Sequence, residues 1–182
     1  MKRTALVLVG LLSLAGIGSL SAQQGIRVGI GGGLLMPMGT YKDFDKLGWL
    51  VGGDVTYWLT GSPVGIRGDV QYSQTSEKSG VGAHNTKIIG GLAEVVFALG
   101  TQADQIRPYL LGGVGYYNVK ISNGGASVSE SKIGFGGGAG LAFKVGTGST
   151  RVFVEGKFVS VSTTGGSTSF LPIRAGFRFG GK

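Results

Sequence analysis

Four carboxylates, Asp54, Asp69, Glu94 and Glu155, are interspersed along the chain with three strong bases, Arg67, Lys157 and Arg174. Paired carboxylates can divide acid and base duties, as in glycoside hydrolysis. Enclosed together with the bases, the same acids would neutralise them and do no chemistry. A second constellation is Ser76, Glu77, Ser79 and His84, a hydrolytic set on paper. Such a triad needs its base held rigidly by a third group, and a short serine- and glycine-rich segment offers little rigidity. His84 is the only histidine and cysteine is absent, so neither a histidine-rich nor a thiolate metal site can form. Gly134-Phe-Gly-Gly-Gly-Ala139 matches a dinucleotide fingerprint, but that fingerprint requires a helix after it. No catalytic, cofactor-binding or metal-binding residue is expected, and the protein is expected not to be an enzyme.

The elements that carry these residues are strands. In Trp49-Leu50-Val51-Gly52-Gly53-Asp54-Val55-Thr56-Tyr57-Trp58-Leu59 one face reads Trp49, Val51, Gly53, Val55, Tyr57 and Leu59. A period of two marks a strand whose faces meet different surroundings. Eight such segments are expected, at 25–36, 47–59, 64–75, 85–99, 107–121, 131–145, 151–163 and 169–179. Each approaches or exceeds the ~9–11 residues that a tilted strand needs to cross hydrocarbon. The connections 60–63, 100–106 and 146–150 read as short turns. Those at 37–46, 76–84, 122–130 and 164–168 read as longer loops, the alternation of outer-membrane barrels.

Before the first strand, Lys2 and Arg3 precede an apolar run from Ala5 to Leu20 and a small-residue end, Ser19-Leu20-Ser21-Ala22. This is the pattern of a cleaved signal peptide, residues 1–22, leaving 23–182 as one domain. Removing Lys2 and Arg3 leaves 15 basic against 9 acidic side chains, a net charge of +6. An exported chain without a dense basic run is not expected to bind nucleic acid, and anionic lipid headgroups suit its scattered lysines better. Charged residues are only 14% of the chain, against about 25% in soluble domains.

Charge tests the assignment of faces. The outward sets are even positions 26–34, odd 49–59, even 64–72, odd 89–99, odd 109–121, odd 133–145, even 152–160 and odd 173–179. None of them contains a charged residue. A lysine or arginine there would cost ~2–4 kcal/mol at the bilayer midplane. The inward sets collect Arg27, Asp54, Arg67, Asp69, Glu94, Lys120, Lys144, Arg151, Glu155, Lys157, Arg174 and Arg178. Counted from the turns, Asp54, Arg67, Asp69, Glu94, Glu155, Lys157 and Arg174 fall at similar depth, a paired polar plug in mid-lumen. Trp49, Tyr72, Tyr117 and Phe135 read as one aromatic belt, and Tyr57, Phe97, Tyr109, Phe143 and Phe177 as the other. Tyr41 and Phe44 in the first loop suit carbohydrate stacking, membrane anchoring or loop packing.

The leader, the eight alternating segments, the lumenal acids and bases, and the last strand Phe170-Leu-Pro-Ile-Arg-Ala-Gly-Phe-Arg-Phe179 resemble the OmpA-like small outer-membrane β-barrels. The resemblance covers essentially the whole mature chain. It implies an all-β, eight-stranded antiparallel up-and-down transmembrane barrel in the outer membrane of a Gram-negative cell. It also implies that Phe177 and Phe179 serve as the C-terminal signal read by the barrel-assembly machinery. The expected role is structural or interactive, for a monomer whose partners are outer-membrane lipid and lipopolysaccharide. A narrow channel for small solutes and a surface adhesin or receptor acting through the loops are the alternatives.

Overall fold

The computed structural model describes residues 25–76, 84–123, 126–163 and 166–180. The signal-peptide assignment, Met1–Ala22, therefore lies outside the described residues. Eight strands follow one another: β1 (Ile26–Met38), β2 (Gly48–Trp58), β3 (Val64–Ser76), β4 (His84–Ala98), β5 (Ile106–Asn123), β6 (Ala126–Lys144), β7 (Arg151–Thr163) and β8 (Gly166–Phe179). Each pairs antiparallel with its neighbours, and β8 returns to β1, so the sheet closes as an up-and-down barrel. One helical turn, α1 (Tyr41–Phe44), lies between β1 and β2.

The barrel has two unlike ends. At the end where β1 begins and β8 ends, tight turns join β2 to β3, β4 to β5 and β6 to β7. Gly61, Gly100 and Gly146 supply their positive φ angles of 69°, 89° and 65°. At the other end the expected loops at 122–130 and 164–168 are corrected. There β5, β6, β7 and β8 continue, and only 124–125 and 164–165 lie between their ends. Polar residues such as Asn118, Ser129 and Ser131 hydrogen-bond across the strands, so pairing outlasts the apolar alternation that marked the strands in sequence. The segment 77–83, with Glu77 and Ser79, lies outside the described residues.

The expected faces hold for seven strands and fail for β5. Tyr109, Leu111 and Tyr117 are buried in the lumen, while Leu110, Val114 and Tyr116 are exposed on the outer wall. The odd set 109–121 therefore points inward at these positions. Both tyrosines leave the aromatic belts, and Lys120 lies exposed rather than in the lumen. The cause is a run of doublets: Leu110-Leu111, Gly112-Gly113 and Tyr116-Tyr117 put the same residue types on both faces. Glycines on the neighbouring strands decide the matter. The Tyr117 ring covers Gly90 on β4 and the Tyr109 ring covers Gly140 on β6, where any Cβ would collide with the aromatic ring.

The lumen is filled in layers. Toward the loop end Leu35, Leu50, Ile88, Tyr117, Val159 and Phe170 pack with Tyr41 of α1 above them. The Tyr41 hydroxyl bonds to Thr75 Oγ1 at 2.7 Å, and Thr75 donates to Asp45 at 2.7 Å. Tyr41 is thus a lumen cap with its ring enclosed, which removes it from carbohydrate stacking. Toward the termini Trp58, Val96, Ala98, Tyr109, Leu111 and Ala142 form a second apolar cluster. Charges occupy the middle.

Candidate functional site

The alternation of β2, β3, β4, β7 and β8 turns Asp54, Arg67, Asp69, Glu94, Glu155, Lys157 and Arg174 inward, all buried. They converge on one another in mid-lumen. Arg67 Nη1 meets Glu155 Oε2 at 2.7 Å. Lys157 Nζ donates to Asp69 at 3.0 Å and to Glu94 at 3.1 Å. Arg174 Nη2 reaches Asp69 Oδ2 at 2.5 Å, Asp54 Oδ2 at 3.2 Å and Glu155 Oε1 at 3.4 Å.

Arg174 holds the centre for an electrostatic reason. Asp54 and Asp69 face each other directly across the β2–β3 ladder, an arrangement of like charges that is unfavourable by itself. The Arg174 guanidinium lies between them and neutralises both. Elsewhere the ladder already opposes acid to base, with Arg67 beside Glu94 and Glu155 beside Arg174.

Two members escape a sequence reading based on depth. Arg178 lies four residues nearer the terminus than Arg174, yet its long side chain climbs to Asp54 Oδ1 at 3.0 Å and Glu155 Oε2 at 3.0 Å. Its guanidinium stacks 3.9 Å from the centroid of the Phe153 ring. Tyr109, expected in the lipid belt, donates to Glu155 Oε2 at 2.9 Å and accepts from Arg178 Nη1 at 2.8 Å. Face parity could have found Arg178 had side-chain reach been added to it. Nothing in the β5 doublets could have found Tyr109.

With Arg178 included, four acids meet four bases: Asp54, Asp69, Glu94 and Glu155 against Arg67, Lys157, Arg174 and Arg178. Every carboxylate has a cationic partner, and apolar side chains close the layer above and below. Among the described residues no group of three or more His, Asp or Glu side chains could hold a metal ion. Of the hydrolytic constellation, Ser76 ends β3 and bonds Asn85 at 3.4 Å. Glu77 and Ser79 are outside the described residues, as is the side chain of His84. Phe177 and Phe179 point outward, their rings 6.3 Å apart.

The geometry agrees with the comparisons. Among solved structures the chain is similar to Neisserial surface protein A (NspA), with a TM-score of 0.64 and 17% identity over 86% of this chain and 97% of that one. It is similar to Ail, the attachment invasion locus protein of Yersinia pestis, in complex with the heparin analogue sucrose octasulfate. There the TM-score is 0.55 and the identity 22%, over 86% of this chain and 100% of that one. The outer membrane enzyme PagL matches with a TM-score of 0.53 and 15% identity, over 85% and 99% of the two chains. No curated protein sequence matches. At such identities the structures share the fold. The family model for the outer membrane protein β-barrel domain matches residues 5–179, and the chain belongs to that family, a barrel of the Gram-negative outer membrane.

Proposed function

We propose that this protein is a closed, non-enzymatic barrel that acts in the outer membrane as a structural or interaction element, as a monomer. The observation that carries this reading is the balanced ionic layer between two apolar layers. A solute would have to part the buried acids from their bases and cross two largely apolar clusters. Closure of the sheet leaves no strand edge for oligomerisation through pairing. The even strand number brings the start of β1 and the end of β8 to one side, read here as the periplasm, with Phe177 and Phe179 displayed to lipid as the signal for the assembly machinery. Planar-bilayer recording of the refolded protein tests the closed lumen. The expected result is no steady conductance, and a stable open level at neutral pH would favour the narrow channel instead.

Lipopolysaccharide is the proposed lipid partner. Lys87 and Lys120 oppose each other directly across β4 and β5 and are both exposed, in a row with Gln74. Like charges facing each other are unfavourable, and anionic phosphates of a headgroup would offset them. A surface-receptor reading has one observation in its favour: α1 presents Phe44, 51% exposed, beside Lys42. Ail, bound to a sulfated sugar in its structure, gives that reading a concrete form. Binding of heparin to intact cells, lost on Lys42→Glu with Phe44→Ser, would support it.

A further inference from the structure

The charge balance of the ionic layer leaves a surplus below it. Arg27, Arg107 and Arg151 are buried near the terminal end of the lumen, and none lies within 4.0 Å of a carboxylate of the described residues. Arg151 is satisfied by backbone, donating to the carbonyls of Gln102 at 2.7 Å, Asp104 at 3.1 Å and Ala142 at 3.3 Å. The nearby Asp104 carboxylate instead accepts from the Thr101 amide at 2.7 Å and hydroxyl at 2.9 Å. Arg27 has one neutral acceptor, Gln102 Oε1 at 2.6 Å. Arg107 lies over Trp58, its guanidinium carbon 4.4 Å from the ring centroid.

Arg27 and Arg107 border one small, partly open cavity in the lumen. Arg27, Arg107, Arg67 and Arg178 line it together with Trp58 and Tyr109, and no carboxylate does. Four N–H groups of its walls, Arg27 Nε, Arg107 Nε and Nη1, and Trp58 Nε1, are buried without an acceptor among the described residues. Guanidinium and indole nitrogens are donors only. A neutral molecule could accept from them but would leave the charge uncompensated, and buried unpaired charge is heavily penalised.

We propose that Arg27, Arg107 and Trp58 form a binding site for a single halide-sized anion, chloride in the cell, at the periplasmic end of the lumen. The volume open to the centre of a water-sized particle is about 20 Å³, close to the ~10–15 Å³ that one such particle requires. That excludes phosphate and carboxylate ligands from the inner cavity. Two wider recesses adjoin it, of about 450 and 590 Å³. The first shares Arg27 and adds Lys144 and Arg151, and the second shares Trp58 and Arg107. Their bases would draw an anion inward from the periplasm.

The test is urea unfolding of the refolded mature protein at fixed ionic strength, with chloride replacing gluconate. Binding to the folded state alone raises stability as the logarithm of ligand concentration above its dissociation constant. The unfolding midpoint should therefore rise with chloride, and Arg27→Gln should abolish the rise. A midpoint indifferent to chloride, or an equal rise in Arg27→Gln, overturns the site. Should Arg27→Gln fail to refold, Trp49→Phe leaves Trp58 as the sole tryptophan. A saturable component of bromide quenching, displaced by chloride, supports the site. Linear quenching that chloride does not alter overturns it.

Discussion

Arg174 joins three carboxylates contributed by three strands, so its loss is felt at all of them. Arg174→Met leaves Asp54 and Asp69 opposed across their ladder with Arg178, Arg67 and Lys157 each serving one flank. Removing one partner of a buried pair costs about 3–5 kcal/mol, and urea unfolding in vesicles should show a loss of that size. Glu94→Gln should cost less, because Lys157 keeps Asp69 while Arg67 keeps Glu155 at 2.7 Å. A neutral outcome for Arg174→Met would mean that the four acids are balanced without it. Seven members of this layer were legible in the sequence because inward parity and depth along a strand are both countable. Tyr109 was hidden by the β5 doublets, Arg178 by the length of its own side chain, and Arg107 by its place just outside the expected outward set. The surplus of arginines emerges only once the pairs are known.

At the scale of single strands, β4 offers the sharpest contrast between neighbours. Val95 is 56% exposed on the outer wall and Glu94 2% exposed in the lumen. Val95→Arg should destabilise the barrel by about 2–4 kcal/mol if it sits near the midplane. A nitroxide at 95 should report lipid. Tolerance of the arginine, with lipid contact at 94 instead, would shift the strand by one residue and exchange its faces. For β5 the decisive residues lie on other strands. Gly140→Val should push the Tyr109 ring off its seat and away from Glu155 and Arg178. Overpacking of this kind costs about 1–3 kcal/mol, and Tyr109→Ala in the same chain should relieve part of it. Additive losses would show that the glycine does not set the face of β5. The long hairpin of β5 and β6 was the least legible element. Its polar end carries no apolar alternation, and its pairing rests on backbone bonds and on Asn118 with Ser129 and Ser131.

For the whole molecule, the outer wall bears Ile30, Val51, Val70, Val95, Val114, Phe135 and Ile173 in a belt without charge. The protein should therefore fractionate with outer membranes and change its mobility on gels when boiled. Recovery from the periplasm without detergent would contradict a lipid-facing wall. The fold was legible because lipid outside and a filled lumen inside impose opposite demands on alternate residues, and nothing else makes that pattern persist through eight segments. The layering of the lumen was less so: whether an inward Leu35 or Phe170 packs beside a charge or away from it depends on the stagger of strands far apart in sequence.

The seam between β1 and β8 gives the ionic layer a second consequence. Along it the facing residues include Gly29, Gly31, Gly32, Gly33 and Gly176, whose missing side chains grip the partner strand weakly. A slip of two residues would keep every side chain on its own face. It would also carry Arg174 about 7 Å along the barrel, at ~3.3–3.4 Å per residue, out of reach of Asp54 and Asp69. Alternation by itself distinguishes inside from outside but is blind to even-numbered errors. The buried charges supply the missing ruler: a barrel closed two residues out of frame would part Arg174 and Arg178 of β8 from Asp54, and Arg174 from Asp69, leaving those carboxylates short of cations.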